Sequence, residues 1–355
     1  MNKKVLIAMS GGVDSSVAAH LMKMNGWECD GAIMRLFDKE NSTDIADAEK
    51  VCDRLNIGFH IFDLRDEFYD CVIKNFISAY ESGATPNPCI VCNRHLKFGR
   101  FLTEANNLGI DYIATGHYAQ TEKSGDRFLL KKGADETKDQ SYVLYSMTQH
   151  QLSHTLFPLG TMTKTEIRAL AEENGFVNAR KKDSQDICFV PDGDYVSVIK
   201  KYTSKEYPKG NFVNKKGEIL GTHQGLVNYT IGQRKGLGCA FGEKLYVAQK
   251  NIESNEVVLA KNEELFQSSL NACDFNWISY DCPPEKLRSM AKIRYSAKKP
   301  PAPCLLQATE RFISNLTHLS ELLHRGSRLC CMMEIMLLAV EQFTDFRRVI
   351  VWKKL

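Results

Sequence analysis

Long hydrophobic runs are missing from this 355-residue sequence, and none approaches the roughly 20 residues of a membrane span. The apolar run after Lys3 and Lys4 has only five residues, too few for the core of a signal peptide. An excess of either charge is missing too, because 46 basic residues face 43 acidic ones. The sequence therefore predicts a soluble, cytoplasmic chain without a membrane partner, for which nucleic acid is permitted but not required.

Twelve cysteines are present, but they do not indicate a disulfide framework, because the chain is large and predicted to be cytoplasmic. Most of them are expected to be buried apolar side chains. A reactive cysteine must therefore be recognised from its local context. The apolar share of 43% is enough to fill the cores of two or three domains.

A lysine is missing from a segment that otherwise predicts phosphate binding. The residues SGGVDSS, 10–16, follow the apolar run VLIAM and lead into a helical spacing of apolar residues. A strand, turn and helix of this kind leave backbone amides unpaired at the positive end of a helix, which suits a phosphate. Because no lysine lies between Lys4 and Lys23, the segment is not a GxxxxGK[ST] loop. A plain turn capped by serine explains SGG alone equally well.

Strand and helix patterns alternate through the following residues. Apolar runs at 29–37, 58–64 and 111–119 alternate with helical stretches near 43–55, 66–81 and 95–108. This alternation predicts an α/β fold with a doubly wound parallel sheet, whose ligands bind at the carboxyl ends of the strands. Those ends carry the 10–16 segment, Met34, and Gly116 with His117. In one interpretation Gly116 lets adenosine approach the backbone; in the other it is an ordinary loop residue.

Two cysteine contexts stand out. Cys89 and Cys92 follow a proline-rich loop in TPNPCIVCNRHLKFG, where a helix is predicted to start, and Cys188 follows a polar turn in KKDSQDICFV. A helix N-terminus and a nearby Arg94 or Lys97 would favour the thiolate, which is the reactive form of cysteine. A CxxC motif alone favours a structural or metal site, whereas a phosphate loop in the same chain favours sulfur transfer.

Seven motifs together resemble one family, the tRNA-specific 2-thiouridylases (MnmA). They are SGGVDSS, TPNPCIVCNRHLKFG, ATGHYA, KDQSYVLY, DSQDICF, YTIGQRKGLG and KIRYS, and they reach from the N-terminus to about residue 298. The resemblance implies the phosphate loop (PP-loop) of the ATP pyrophosphatases and an enzyme that thiolates the wobble uridine of tRNA. It implies that ATP adenylates the uridine O2 and that a persulfide on Cys188 then delivers sulfur to C2.

The family pattern also implies roles for individual residues. Cys92 is the nucleophile that releases the sulfur by forming a disulfide with Cys188. ATP binding is implied for Ala8, Met9, Ser10, Gly11, Gly12, Val13, Asp14, Ser15, Met34 and Gly116. Contacts to tRNA are implied for Asn87, Pro88 and Cys89 at the target base, and for Lys138, Asp139, Gln140, Arg294 and Tyr295. His117 either approaches the base or nucleotide or makes a structural hydrogen bond. The implied persulfide donor is a sulfur-relay carrier protein or a cysteine desulfurase.

Two metal hypotheses accompany this mechanism. Mg²⁺ would neutralise the departing pyrophosphate, with Asp14 as its ligand or orienter; equally, Asp14 would simply cap the following helix. Cys89, Cys92 and Cys188, if they converge, would hold an iron–sulfur cluster with one open iron site. In that case sulfide activation would replace the persulfide.

Three domains are expected. Residues 1–204 would form the PP-loop ATP-binding catalytic domain. Residues 205–270, rich in glycine and lysine, predict a small β-containing domain that binds tRNA through an exposed, basic YTIGQRKG loop. Residues 271–355 would form a C-terminal β-barrel, of which 300–355 are atypical.

The resemblance stops near residue 300, where the family pattern expects strands ending in a sequence like YDGDxVxGGG. The codons for CCMMEIM, 330–336, shifted by two nucleotides, encode Leu, Tyr or His, Asp, Gly, and Asp or Asn. We therefore predict that the residues after about 300 come from a frameshifted reading of the barrel, which would be incomplete. Disorder or an improvised helix is expected in the apolar run at 329–340. Sequencing the 3′ end of the gene from an independent source tests this prediction.

Two other functions stay open at this level. Another adenylating RNA-modifying enzyme with the same loop, such as one that makes lysidine or 4-thiouridine, is disfavoured by the contexts of Cys92 and Cys188. An inactive tRNA-binding relic is favoured only by the altered C-terminal residues. Nucleoside analysis distinguishes these alternatives.

Overall fold

The computed structural model describes residues 3–38, 43–181, 186–190, 193–265, 272, 274–282, 286–292, 302–307 and 336–338. The chain divides into two compact units. The first takes in the residues up to Lys74, Asn87–Pro191 and Asn276–Cys282, and the second takes in Asn75–Pro86, Asp192–Phe275 and the described residues after Cys282. The three domain boundaries drawn from the sequence stay a prediction.

The described strands of the first unit are β1 (Lys4–Met9), β2 (Glu28–Arg35), β3 (Gly58–Asp63), β4 (Tyr112–Thr115), β5 (Ala119–Ser124), β6 (Arg127–Lys132) and β7 (Thr155–Leu156). Five of them form a parallel sheet in the order β3-β2-β1-β4-β7. The α/β prediction is thereby confirmed. The run at 111–119 is shorter than predicted, because β4 ends at Thr115 and Ala119 already starts the β5–β6 hairpin, which the sequence did not reveal.

The described helices are α1 (Val13–Met24), α2 (Asp44–Leu55), α3 (Arg65–Phe68), α4 (Lys74–Glu81), α5 (Pro88–Cys92), α6 (Phe101–Asn107), α7 (Gln149–Ser153), α8 (Lys164–Glu173) and α9 (Tyr195–Thr203). Two π-helical segments, Tyr69–Ile73 and Asn93–Arg100, join α3 to α4 and α5 to α6. Among the described residues, 3₁₀ turns lie at Ser141–Leu144, Leu226–Asn228 and Asn262–Leu265.

Strand β1 is buried on both faces, which explains its uninterrupted apolar sequence. Val5 and Ile7 pack in one core with Val17 of α1, and Leu6 packs in another core with Phe98 and other residues of the α5–α6 region. All three β1 side chains are fully buried. Alternate residues of a strand point to opposite faces, so three consecutive apolar residues are needed to serve both cores.

The order of the strands places a crevice at the carboxyl ends of β1 and β4. From β1 the chain first builds β2 and β3 on one side, and then builds β4 and β7 on the other. Such a reversal leaves a gap between the connections that leave the two adjacent strands, which is where ligands bind in open α/β sheets. Ala8 at the end of β1 lies opposite Thr115 at the end of β4. The 10–16 segment and Gly116 therefore meet at this edge.

The second unit contains a four-stranded sheet of β8 (Gly210–Val213), β9 (Ile219–His223), β10 (Tyr246–Asn251) and β11 (Glu256–Ala260). Its order is β10-β11-β8-β9, and Phe212, Val247 and Val257 lie at the centre of its core. The prediction of a small β-containing segment here is confirmed.

Three further strands are β12 (Lys286–Lys292), β13 (Ala302–Gln307) and β14 (Met336–Leu338), in the order β13-β12-β14. Strand β14 pairs antiparallel with β12. The expectation of a helix or of no regular structure is therefore wrong for Met336–Leu338. The remaining residues of the 329–340 run lie outside the described residues, and the frameshift hypothesis stays a prediction.

Candidate active site

The phosphate loop is the turn Ser10–Gly12 between β1 and α1. Gly11 adopts a left-handed φ of +68°, and Gly12 has an extended backbone as the N-cap of α1. The hydroxyl groups of Ser15 and Ser16 each donate to the Gly12 carbonyl at 3.0 Å, so both are used within the loop rather than offered to a ligand. The first-turn amides of α1 have no carbonyl preceding them in the helix, and they are the donors left for an anion.

Gly116 lies against this loop. A Cβ added at Gly116 would lie 2.8 Å from the Asp14 carbonyl carbon and 2.9 Å from the Ser15 nitrogen. Backbone atoms cannot yield to a contact this short, so the end of β4 requires glycine in order to reach the loop. Gly116 is thus more than an ordinary loop residue, and its ATP contact stays a prediction.

Asp14 is held by two partners that are distant in sequence. The Lys164 ammonium group lies 2.7 and 2.9 Å from its two carboxylate oxygens, and the Tyr118 hydroxyl donates to it at 2.8 Å. Lys164 is a buried lysine with a relative exposure of 9%, and its ammonium also lies over the Tyr118 ring. No side chain caps α1, so the interpretation of Asp14 as a helix cap is wrong.

Removing either charge of this pair is expected to destabilise the protein. The Asp14 side chain keeps 31% of its exposure, so the usual cost of breaking a buried pair is reduced here to about 1–3 kcal/mol for Asp14→Asn or Lys164→Met. The double variant should lose less than the sum, because neither charge is then left alone. Urea unfolding of the three variants measures the coupling, and strictly additive losses would contradict it.

The two CxxC thiols lie at the start of a helix, as predicted. The Asn87 side chain caps α5 by accepting from the Cys89 amide at 3.2 Å, and Pro88 is the first helical residue, where its missing N–H costs nothing. Cys92 is buried and Cys89 is exposed. Asn87 and Pro88 therefore fix the direction of the helix that carries both thiols.

Cys89, Cys92, Cys188 and Lys97 lie close enough together to affect the pKa values of the thiols. The Cys92 thiol senses Lys97, Cys188 and Cys89, and the Cys188 thiol senses Lys97 and Cys89. Burial raises the pKa of Cys92 to about 12, although Lys97 acts in the opposite direction. Loss of hydration at the sulfur also raises the pKa of Cys188, although the residue as a whole is exposed. The expectation that the thiolates are favoured is therefore wrong in its net direction, because loss of hydration outweighs the lysine.

The raised Cys92 pKa predicts a pH dependence for alkylation of this thiol. Between pH 7 and 9 the thiolate fraction of a group with a pKa of about 12 grows about tenfold per pH unit without levelling. The rate for Cys92 with iodoacetamide, followed by peptide mass spectrometry, should show that slope. In urea the same peptide should level off near the ordinary pKa of about 8.5. Levelling near pH 7 in the native protein would contradict the burial.

The His117 side chain is held by contacts with other residues of the first unit. Its Nδ1 lies 2.9 Å from the Thr115 hydroxyl, and its ring packs beside Phe98 and Phe157. Burial, with Lys97 as a smaller contribution, lowers the pKa of His117 to about 3, so the ring is neutral at physiological pH. This favours the structural hydrogen bond of the two alternatives. A contact of His117 with a base or nucleotide stays a prediction.

Family models match almost all of the first 261 residues. A model described as the tRNA methyl transferase HUP domain matches residues 3–192, and one described as the tRNA methyl transferase PRC-barrel domain matches residues 196–261. A curated relative from Clostridioides difficile, named tRNA-specific 2-thiouridylase MnmA, is 48% identical over 85% of this chain and 87% of its own. The chain belongs to the tRNA-specific 2-thiouridylase (MnmA) family.

A second curated relative agrees with this 2-thiouridylase assignment. A protein of the same name from Clostridium botulinum strain Alaska E43 is 47% identical over 83% of this chain and 85% of its own. Among solved structures, the U34-tRNA thiolase NcsA from Methanococcus maripaludis, with its [4Fe-4S] cluster, covers 57% of this chain and 66% of its own. Its TM-score is 0.37 at 18% identity. A likeness at this level transfers no property to this chain.

The structure describes only some of the residues that a 2-thiouridylase is expected to use for contacts with tRNA. Asp139 accepts from the Gly133 and Ser141 amides, and the Gln140 side chain accepts from the Tyr118 amide at 3.0 Å. Both side chains thus fix their own turn in the structure. Lys138 lies half-buried beside them. Arg294 and Tyr295 lie outside the described residues, and all five contacts with tRNA stay predictions.

The remaining residues predicted to bind ATP lie near the crevice or beneath it. Ala8 and Met9 end β1, opposite Thr115 of β4 and Ile33 of β2. Met34 is half-buried near the end of β2, and Val13 is buried in the core under the loop. Within the part of the chain that the structure describes, no helix is long and apolar enough to cross a membrane.

Sequence reasoning missed the two lysines that approach the phosphate loop. Lys164 contacts Asp14, and Lys181 donates to the Gly11 carbonyl at 3.2 Å. The lysine-free loop was itself a signal, because the carboxylates beside it need partner cations, which Lys164 supplies to Asp14 and Lys181 supplies to Asp44 and Asp47. Nothing in the local sequence of Lys164 or Lys181 shows which lysines those are.

Proposed function

We propose that this chain performs the reaction of its family, the ATP-dependent 2-thiolation of the wobble uridine of tRNA. The observation that carries the proposal is the joint presence of a lysine-free PP-loop and of two thiols, Cys92 and Cys188, that lie close enough for Cys188 to affect the pKa of Cys92. The PP-loop fold implies the use of ATP. The relatives that resemble most of this chain are named for this modification.

In the first step the uridine O2 attacks the α-phosphorus of ATP, and pyrophosphate leaves. The phosphates would lie on the first-turn amides of α1, and Gly11 and Gly12 let the backbone approach them. The Lys164 cation offsets the Asp14 carboxylate beside this site, so that the carboxylate repels the phosphates less. Adenylation turns O2 into a good leaving group.

In the second step the terminal sulfur of a persulfide on Cys188 attacks C2, and AMP leaves. The Cys92 sulfur then attacks the Cys188 sulfur, which forms the Cys92–Cys188 disulfide and leaves sulfur on C2. The two cysteines are oxidised and the transferred sulfur is reduced, so a thiol must reduce the disulfide before the next cycle. Cys92 must lose its proton to attack, and Lys97 is the cation that favours this loss. A sulfur-relay carrier or a cysteine desulfurase would reload Cys188.

Neither metal hypothesis finds a built site. Among the described residues, no group of three His, Cys, Asp or Glu side chains is arranged to hold a metal ion, and Cys89, Cys92 and Cys188 are all described. The three thiols therefore do not fit an iron–sulfur cluster in this arrangement. Asp14 is already paired with Lys164. Magnesium would therefore arrive with the nucleotide, as part of the MgATP substrate.

The YTIGQRKG loop of the second unit is suited to the tRNA backbone. The Gly232 amide donates to the Val247 carbonyl at 2.7 Å, and the Val247 amide donates to the Gln233 carbonyl at 2.9 Å, so the loop is fixed to its sheet. Arg234 and Lys235 are exposed on this loop, and neither forms an ion pair with another described residue. Two such cations on a fixed loop suit phosphate contacts.

Replacing both Arg234 and Lys235 by alanine is expected to weaken tRNA binding and to lower its salt dependence. Each lost phosphate contact reduces the slope of log K against log salt by about 0.7–0.9, so the double variant should lose about 1.5–2. Filter binding at several salt concentrations measures the slope. Lys215→Ala with Lys216→Ala, on another turn of the same unit, is the matched control. An unchanged slope in the loop variant would exclude the loop from the interface.

The proposed function is tested by nucleoside mass spectrometry. Unmodified tRNA is incubated with the full chain, ATP, Mg²⁺ and a persulfide donor, and the digest is analysed for 2-thiouridine. We expect ATP-dependent 2-thiouridine. Formation of 4-thiouridine or lysidine would identify another adenylating enzyme, and tRNA binding without any product would identify a relic.

A further inference from the structure

Lys181 binds three acceptors in the first unit. Its ammonium lies 3.2 Å from the Gly11 carbonyl oxygen, 2.9 Å from Asp44 Oδ1 and 2.7 Å from Asp47 Oδ2. Gly11 belongs to the phosphate loop, and Asp44 and Asp47 belong to the first turn of α2. One side chain therefore ties its own segment to the loop and to a second helix.

Asn178 makes a second tie from the same segment. Its side-chain amide donates to the Gly11 carbonyl at 3.1 Å and to the Ser16 hydroxyl at 2.9 Å, and the residue is 2% exposed. Its Oδ1 has no hydrogen-bond partner among the described residues. An unpaired buried acceptor is unfavourable, so the two hydrogen bonds that the amide group donates are the contacts that hold Asn178 in this position.

Cys188 follows Lys181 by seven positions. The residue after it is buried, and the Phe189 ring packs edge-on against Phe68 at 5.5 Å. The Val190 amide donates back to the Ile187 carbonyl at 2.9 Å, which closes a turn around Cys188. The chain at Cys188 is thus anchored on both sides, by Phe189 after it and by Asn178 and Lys181 before it.

We propose that Lys181 is a positioning residue that holds the Cys188 segment on the phosphate loop, so that the sulfur carrier stays in register with the adenylated base. The proposal rests on the proposed function. Phe189 fixes the chain only on the side after Cys188, so the Lys181 contact with Gly11 is needed to hold Cys188 at a set distance from the phosphate loop. Holding it lowers the entropic cost of bringing sulfur and C2 together.

The acid–base behaviour of the contact agrees with a strong tie. Burial by itself would lower the pKa of Lys181, but its hydrogen bonds with Asp47 and Asp44 reverse this and raise it. The pKa of Asp47 is lowered, with the hydrogen bond from Lys181 as the main cause. Lys181 and Asp47 are therefore both charged across the physiological pH range, and the contact between them persists there.

The test compares Lys181→Met with Lys181→Arg in the full chain. Arg180→Met is the matched control, because Arg180 is the neighbouring cation, has a side chain that is 90% exposed and pairs with Glu172. Each protein is assayed for pyrophosphate release with tRNA and for single-turnover thiolation from Cys188 loaded with persulfide. We expect Lys181→Met to slow thiolation at least tenfold while pyrophosphate release changes less than threefold. Lys181→Arg should recover part of the loss, and Arg180→Met should change neither rate.

A second measurement does not depend on turnover. The alkylation rate of Cys188 is measured by peptide mass spectrometry with and without a non-hydrolysable ATP analogue. The analogue should change this rate at least threefold in the unsubstituted chain and should have no effect in Lys181→Met.

Equal losses of pyrophosphate release and thiolation would overturn the proposal, because Lys181 would then only support the loop. Unchanged thiolation in Lys181→Met would overturn it as well. If the unsubstituted chain makes no 2-thiouridine, the proposed function fails. A nucleotide response of Cys188 that disappears in Lys181→Met would still support the positioning role.

Discussion

Cys188→Ser is expected to reduce 2-thiouridine formation at least 1,000-fold while leaving pyrophosphate release within about threefold. A serine hydroxyl cannot carry a persulfide, so no sulfur reaches C2. The phosphate loop is made by other residues, Ser10–Gly12 and the first turn of α1, so adenylation has no need of the Cys188 sulfur. The informative quantity is therefore the loss of 2-thiouridine formation compared with the loss of pyrophosphate release.

The matched control for this experiment is Cys282→Ser. Cys282 is a free, exposed cysteine that belongs to the same unit as Cys188. The Cys282→Ser variant should retain both pyrophosphate release and 2-thiouridine formation. Thiolation by Cys188→Ser at the unsubstituted rate would exclude Cys188 as the carrier, and an equal loss of pyrophosphate release would indicate a structural effect instead.

Gly11→Ala is expected to weaken ATP binding at least tenfold and to lower the free energy of unfolding. A left-handed φ of +68° costs an alanine about 1–2 kcal/mol. Its Cβ would also clash with the Asp44 carbonyl oxygen, which is a backbone atom at the start of α2. Either α2 or the phosphate loop must move. Binding of a non-hydrolysable ATP analogue and urea unfolding measure the two effects.

Gly26→Ala separates strain from crowding. Gly26 has a similar φ of +79°, but an added Cβ would meet nothing within 4 Å. Its alanine variant should lose about 1 kcal/mol of stability and bind the analogue normally. If Gly11→Ala behaves like Gly26→Ala in both measurements, the crowding at Asp44 has no bearing on the ATP site.

Much of the first unit could be read from sequence because local patterns decide it. The run VLIAM had to be a strand buried on both faces, since Val5, Leu6 and Ile7 supply two cores. Asn87 and Pro88 predicted the start of α5, because helix capping depends on residues within about three positions of each other. The β5–β6 hairpin was missed although its two-residue Gly125-Asp126 turn favours a hairpin, because the partly exposed β5 has no regular apolar alternation.

The protonation state of the thiols shows where sequence reasoning failed. Lys97 was correctly expected to act on the cysteines, but the size of its effect could be judged only against burial. Cys92 is 6% exposed, and the loss of hydration exceeds the attraction of one partly exposed cation. The depth of a side chain is a property of the packed molecule, and a motif does not contain it.

Local sequence was enough to predict the PP-loop, the parallel α/β sheet and the helix that carries Cys89 and Cys92. These depend on residues that are adjacent in the chain, where spacing and residue type are sufficient. Tertiary structure alone decided that Lys164 neutralises Asp14, that Lys181 ties the Cys188 segment to Gly11, and that Cys92 is protonated. Those contacts join residues 150 and 170 positions apart, and only the packing of the chain brings them within hydrogen-bond distance.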